Sequence, residues 1–501
     1  MEIAVVTMKV TFVYPDIFEY VPDYKGTFYT GIALLSAVLK HAGHSTSLIH
    51  ITNPRYTTED FACALNQHQP DIIAFSSTTN GYPVVKEMAA CIKNVYKDIP
   101  TIYGGIHPTL APEESIQTDG INMICVGEGE GCLLDVCTAL EQGKTLDNIP
   151  NLYLRKNTEV VRNPLRRIIE NLDELPFPDR ELFDYPHLYF EQREEATFIV
   201  SRGCPYSCTY CSNEALRNLY KGLGGYVRFR SVNNVIQEIQ QVLEDYPFIK
   251  SLHFDDDILF LKSDWAQEFV ELYRQRISFP FCCNIRPNFC NEKIIQMLSY
   301  AGCYELRIGL ESGNEYIRKE ILNRNLEEDT IINAFHTARK YGIKVMSFNM
   351  IGLPHENPSR ILDTIKLNAH CGVNDIRHTI FYPYPGTRLY EFCRDENLLT
   401  ERRVINYDMD TVLNLPNLSC QQLHMFWRYF HTFVKVYAYL YLLPKFLSRC
   451  VEFLLDTFLT CRLAPTVLRW SRPFVHVLRL ELKSLKRYLL GKNVTQIIHQ
   501  K

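Results

Sequence analysis

Twice along this chain, short β-branched and aromatic runs alternate with stretches of helical apolar period, and that alternation restricts the fold more than any other feature. From Lys9 to about Arg155 the sequence reads KVTFVY, GIALLSAVLKHAG, STSLIHI, DIIAFSS, PVVKEMAACIKNVY, PTIYGG, NMICVG and EGCLLDVCTALEQG. Such repetition packs as a parallel sheet with helices on both faces. From Ala196 to about Tyr390 it resumes, with strands expected near TFIVSR, SLHFDD, FCCNIR, ELRIGLE, KVMSFNMIG and HTIFYPY. Six βα repeats are enough for an open or partial parallel barrel, whose chemistry sits at the carboxyl-end loops. Residues 151–195, which include LDELPFPDRELFDYP, are rich in Pro and acids and weakly periodic, so a linker is expected there. The expected α/β organisation is a parallel sheet over 1–150, a linker over 151–195, a partial barrel over 196–395 and a separate, basic, α-helical region over 396–501.

Composition removes several classes of function. With 501 residues, 46% apolar and 22% charged, the chain is long enough for several cored domains and ordinary enough to fold. A net charge of −4 leaves no overall footprint for nucleic acid, and none is expected as a partner. The charge is uneven, because residues 401–501 carry 15 Lys and Arg against 6 Asp and Glu. Seventeen cysteines, an odd number in a long chain whose first residues lack a basic signal-like region, point to a reducing, cytoplasmic setting. The most apolar stretch, FVKVYAYLYLLPKF, is broken by Lys435, Pro444 and Lys445, short of the ~18–20 apolar residues of a spanning helix.

The densest chemistry lies in TFIVSRGCPYSCTYCSN, which sets Cys204, Cys208 and Cys211 in C-x3-C-x2-C spacing directly after a strand. Three thiolates on one short loop can face one point, and soft sulfur suits an iron–sulfur cluster or zinc. A closed zinc site wants a fourth ligand close by, and Ser212, Asn213 and Glu214 bring no Cys or His. A cluster held by three cysteines leaves one iron open to a substrate or cofactor. In the first half, the strand ends run into SSTTNGY (Ser76 to Tyr82), GGIHPT (Gly104 to Thr109) and GEGEG (Gly127 to Gly131), whose small residues let a backbone approach a ligand.

CPYSCTYC after the first strand of a partial barrel resembles the radical S-adenosylmethionine (SAM) superfamily. Its union with the preceding sheet through LPFPDRELFDY resembles the cobalamin-binding branch over nearly all of residues 9–390. The resemblance implies a flavodoxin- or Rossmann-like, cobalamin-binding sheet followed by a TIM-like (β/α)6 partial barrel. It implies a 4Fe-4S cluster on Cys204, Cys208 and Cys211, with the amino and carboxylate groups of SAM on the open iron. Reduction then yields methionine and a 5′-deoxyadenosyl radical. By the same resemblance Tyr210 packs near the adenine, and Asp255 and Asp256 of HFDDDILF approach the SAM amino group. Glu311 and Ser312 of RIGLESGN match ribose-contacting positions, and Asn349 and Pro354 of NMIGLPHE belong to a loop passing the adenine. Cobalamin is implied between the two domains, against Ser76, Thr78, Gly104, Gly105, His107, Gly127 and Glu128. The D-x-H-x-x-G sequence that gives other cobalamin proteins a cobalt-binding histidine is absent, and His107 by itself reads as a turn residue.

The implied reaction is methylation of an unactivated carbon of a small-molecule, lipid or peptide substrate, with an electron donor such as flavodoxin or ferredoxin. Rearrangement, cyclisation or oxidation by the same barrel is one rival, and a non-catalytic cobalamin or iron–sulfur sensor is another. No further catalytic residue is assigned. Cys125, Cys132 and Cys137 are expected as small core hydrophobes, while Cys282 and Cys283, adjacent on a strand, must point to opposite faces. The tail runs FWRYFHTFVKVYAYLYLLPKF, FLLDTFLT and VLRLELKSLKRYLL are expected to cover the barrel mouth. Peripheral membrane contact, or a surface for a lipid-like or anionic substrate, is the other use of such basic helices.

Overall fold

The computed structural model describes residues 7–18, 21, 23–157, 159–402 and 410–470. The first β-branched run becomes β1 (Lys9–Pro15), and the following ones β2 (Ser45–Ile51), β3 (Ile72–Ser76), β4 (Thr101–Gly104) and β5 (Met123–Cys125). All five are parallel, and their spatial order is β2-β1-β3-β4-β5. An order that reverses beside β1 opens a crevice at the carboxyl ends of β1 and β3, where such sheets bind ligands. Helices Thr30–His41 and Glu130–Glu141 cover one face, burying Ile32, Leu39, Leu133 and Val136 with Phe12 and Ile102.

The boundary expected at residue 150 falls short. A half-exposed hairpin of β6 (Leu152–Lys156) and β7 (Glu159–Arg162) adds antiparallel strands beyond β5 and carries the sheet to Arg162. Nor does the rest of the expected linker simply cross a surface, since Phe183, Tyr185 and Leu188 are buried in the same core as Phe28. These residues form only short single turns, which carry no periodicity to read.

The second alternation gives β8 (Glu195–Phe198), then a two-stranded ribbon of β9 (Ser201–Arg202) and β10 (Arg228–Phe229). It continues with β11 (Ser251–Phe254), β12 (Phe281–Ile285), β13 (Cys303–Glu311), β14 (Lys344–Ile351) and β15 (Asp375–Ile380). All six main strands are parallel in the order β15-β14-β13-β12-β11-β8, so β8 and β15 are edges and the barrel stays open. The crossover helices start on side-chain caps from Ser231, Asn291 and Asn357, and two of them stop at left-handed glycines, Gly302 and Gly372.

The carboxy-terminal region is not wholly separate. Helix Cys420–Leu440 opens on a capping box between Ser419 and Gln422 and buries Leu423, Phe426, Phe430 and Tyr437 against Ile361, Ile365 and Ile380 of the barrel. Helix Lys445–Thr460 follows, tied to the barrel where Lys366 meets Glu452 and Asp456 at 2.8 and 2.5 Å. No helix among the described residues is long and apolar enough to cross a membrane. The run VLRLELKSLKRYLL and the first six residues lie outside the described part.

Candidate active site between the sheet and the half-barrel

The three cysteines occupy the single loop between β9 and helix Ser212–Leu219, with Cys211 at the N-cap position of that helix. The loop is fixed from several directions through its backbone. Arg217 Nη1 donates to the carbonyls of Cys204, Pro205 and Tyr206 at 3.4, 2.6 and 3.2 Å. Asn323 and Arg388 both donate to the Ser207 carbonyl at 2.7 Å, and Leu389 N donates to that of Thr209 at 2.9 Å. The sulfurs stay out of this framework as free thiols. Burial raises the Cys204 thiol and pushes Cys211 up to about 12, so metal loading releases protons from them.

Buried arginines surround Cys208. Arg286, just beyond β12, donates to its sulfur at 3.3 Å and stacks 3.9 Å over the Tyr206 ring. Arg324, in the crossover after β13, donates to the Gly309 carbonyl and lies 3.4 Å from the Tyr210 hydroxyl and 3.9 Å from Glu311. Neither arginine's Nε meets an acceptor among the described residues. Glu311 ends β13 at φ +67°, next to a register shift after Gly309, and its carboxylate lies over Gly309. Burial raises its carboxyl, opposed by the Arg324 charge.

A cavity of about 500 Å³ opens between the two sheets. One wall consists of the β3, β4 and β5 carboxyl ends, with Ser76, Gly104, Gly105, Gly127 and Glu128. The opposite wall is formed by the two ends of the cysteine loop and the barrel rim, with Gly203, Ser212, Asn213, Tyr226 and Asp255. Asp255 accepts from Asn284 at 3.1 Å, and half of its side-chain surface is open to the cavity even though protein surrounds it. Charge bolts the walls together: Arg202 reaches Glu128 at 3.1 Å and also Glu130, and Arg228 reaches Glu128 at 2.6 Å. Burial alone would raise the Glu128 carboxyl, but Arg228 and Arg202 hold it below the usual range. The Tyr220 hydroxyl accepts from Glu128 N at 2.6 Å, and a Cβ on Gly127, at φ +92°, would strike that hydroxyl.

Residues 198–367 match the radical SAM superfamily and residues 27–136 match the B12 binding domain. This chain is an enzyme that carries a radical SAM domain and a B12-binding domain. It is 28% identical to an uncharacterised methyltransferase of Pyrococcus horikoshii, over 84% of this chain and 89% of the relative. It is 22% identical to the anaerobic magnesium-protoporphyrin IX monomethyl ester cyclase of Rubrivivax gelatinosus, over 78% of this chain and 70% of the relative. Among solved structures, the cobalamin-dependent S-adenosylmethionine radical enzyme OxsB with aqua-cobalamin and S-adenosylmethionine bound superposes with a TM-score of 0.67 at 14% identity. It covers 98% of this chain and 82% of that one.

The cofactor set of this radical SAM enzyme is a 4Fe-4S cluster, SAM and cobalamin, and the residues present fit it. Three free thiols on one loop suit the cluster. The orphaned N–H groups of Arg286 and Arg324 suit an anionic group beside Cys208. The glycine-walled cavity suits a large planar ligand, since a Cβ on Gly104 would find only Cys125, at 3.8 Å.

Other sequence expectations fare differently. Asp256 does not line the cavity and accepts from the Val200 and Ser201 amides at 3.1 and 2.7 Å, fixing the chain where β8 passes into β9. Ser312 is fully buried beside Thr364, and Asn349 is bound up with Ser347, Asn368 and the Arg377 carbonyl, so neither offers a side chain to a ligand. Pro354 lies in a buried loop closed by Glu356, which accepts from Gly352 N at 2.6 Å. Thr78 is exposed and outside the cavity wall, and His107 is buried, 4.1 Å from the Tyr82 ring and 3.3 Å from Thr79 Oγ1. Cys125, Cys132 and Cys137 are buried, Cys125 at the cavity edge. Cys282 faces the barrel interior, 3.7 Å from Glu195, and Cys283 packs in the apolar layer with Cys303. Arg307 also points inward, donating to His253 at 2.7 Å. The sequence reading missed Arg286, Arg324 and the bolt; their signal was a cation at a strand's carboxyl end or beside the cysteine loop.

Proposed function

We propose that this enzyme uses SAM and cobalamin to methylate an unactivated carbon of a small-molecule, lipid-like or peptide substrate. The observation that carries the reading is one cavity with the glycine-rich loops of the B12-binding sheet on one side and the ends of the cysteine loop with Asp255 on the other. When bound, the cluster supplies the electron that cleaves SAM, and cobalamin supplies the methyl group. Cys204, Cys208 and Cys211 hold the cluster. Arg286 and Arg324 offer N–H groups to the SAM carboxylate, Asp255 takes its ammonium, and Tyr210 with Glu311 lies toward the nucleoside. Gly104, Gly105 and Gly127 would offer bare backbone to the corrin, and Ser76 and Glu128 polar groups beside it. The apolar Phe12, Leu34 and Leu133 on the cavity wall exclude water from the reacting centre. A flavodoxin- or ferredoxin-type protein is the proposed electron source.

The relative named a methyltransferase supports methyl transfer, and the relative named a cyclase supports radical cyclisation on the same scaffold as the second reading. The test is anaerobic reconstitution with iron, sulfide and hydroxocobalamin, followed by metal analysis and incubation with methyl-deuterated SAM and a reductant. About four iron and one cobalt per chain, with S-adenosylhomocysteine, 5′-deoxyadenosine and deuterium in a product, fulfil the first reading. 5′-Deoxyadenosine without S-adenosylhomocysteine turns it to cyclisation or rearrangement. Bound cofactors with no cleavage of SAM overturn both in favour of a sensor.

A further inference from the structure

Helix Lys445–Thr460 is amphipathic with its broader apolar face turned outward. Inward it buries only Ser448 and Leu459, with Glu452 and Asp456 half-buried at Lys366 and Asp456 also held by the Tyr437 hydroxyl at 2.5 Å. Outward it presents Phe446, Phe453 and Leu454 at 82%, 70% and 66% exposure, continued by Leu442 and Leu463. Scattered exposed apolar residues need no explanation, but a contiguous set on one helix marks a surface that is covered in use.

The charges around this face choose its cover. Lys445, Arg449, Arg462 and Arg469 are exposed around it, and no ion pair engages them among the described residues. The two acids in residues 441–470 are the inward pair Glu452 and Asp456. Residues 471–501 add seven Lys and Arg against one Glu, the same sign of charge. A second copy would bring the same cations against themselves. An apolar helix face with a cationic rim is complementary to a bilayer of anionic lipids, where such helices lie in the interface plane. We propose that this helix docks the enzyme on an anionic membrane surface, with Phe446, Phe453 and Leu454 in the acyl boundary and Lys445, Arg449 and Arg462 at the headgroups.

The test is sedimentation of the full chain with vesicles of phosphatidylglycerol and phosphatidylcholine in equal parts, against pure phosphatidylcholine. The protein is expected to pellet with the mixed vesicles, less so as salt rises, and to stay in solution with phosphatidylcholine alone. F446E/F453E/L454E, confined to exposed positions, is expected to lower binding at least about tenfold while retaining wild-type iron and cobalt content. A native reporter stands in the face itself: Cys450 is exposed between Phe446 and Leu454, and Cys63 is exposed on the amino-terminal sheet's helix layer. Maleimide should modify both rapidly in the free protein, and mixed vesicles should slow only Cys450. A full chain that ignores the mixed vesicles, a triple variant that binds as well as wild type, or a Cys450 already shielded in solution by its own chain or a second copy would overturn the proposal.

Discussion

Cys208 is the most buried of the three loop thiols, and Arg286 sits 3.3 Å from its sulfur. Cys208→Ala is expected to abolish both iron binding, measured on the reconstituted protein, and all cleavage of SAM. Arg324→Gln should behave otherwise: iron content stays, because all three thiols remain, while the KM for SAM rises at least about tenfold, because a charge-assisted partner of the carboxylate is lost. His107 yields a pH prediction. Burial pushes it down to about 4, whereas in the unfolded chain it titrates near ~6.5. Between those values the unfolded state binds more protons, so stability is lost as pH falls through that window, by on the order of 3 kcal/mol for this one group. His107→Gln should flatten the acid side of the urea-unfolding profile and leave the spectrum of bound cobalamin unchanged, since the ring is buried away from the cavity. At this scale the sequence shows which residues stand at strand ends but not where they aim. Asp255 and Asp256 are neighbours, yet one faces the cavity and the other ties down the backbone at the start of β9.

At the scale of elements, period is what makes structure readable. All six barrel strands were recognisable because each lies in a short apolar, β-branched or aromatic run beside a helix of apolar period, and the cysteine loop followed from its place after β8 and the short β9. The β6–β7 hairpin and the turns after it escaped, being too short and too half-exposed to carry a pattern. The bolt between the walls also escaped, because it joins residues up to 100 positions apart. It predicts that Arg202→Met leaves Glu130 buried without its cation. Cobalt retained after desalting should fall severalfold, with the cluster's absorbance largely preserved. Equal loss of both would assign Arg202 to the cysteine loop instead.

For the whole molecule, the tail expected to be separable divides in two. Deleting residues 396–501 removes Phe426, Phe430 and Tyr437 from the core they share with Ile365 and Ile380, and Phe→Ala losses in such cores run to about 3–5 kcal/mol each. That truncation is expected to give insoluble protein or protein without a cluster. A chain ending after Leu443 should keep the cluster's absorption, measured after anaerobic reconstitution.

Arg202 immediately precedes Gly203 and Cys204, so the residue that clasps the amino-terminal sheet also opens the cysteine loop. The two halves are therefore not interchangeable parts. A chimera that grafts another sheet onto this barrel inherits two guanidinium groups, of Arg202 and Arg228, pointing across the join. It will assemble only if the donor brings carboxylates to the places of Glu128 and Glu130. Recombination between relatives at residues 163–195 is thus governed by a charge match at some distance from the splice.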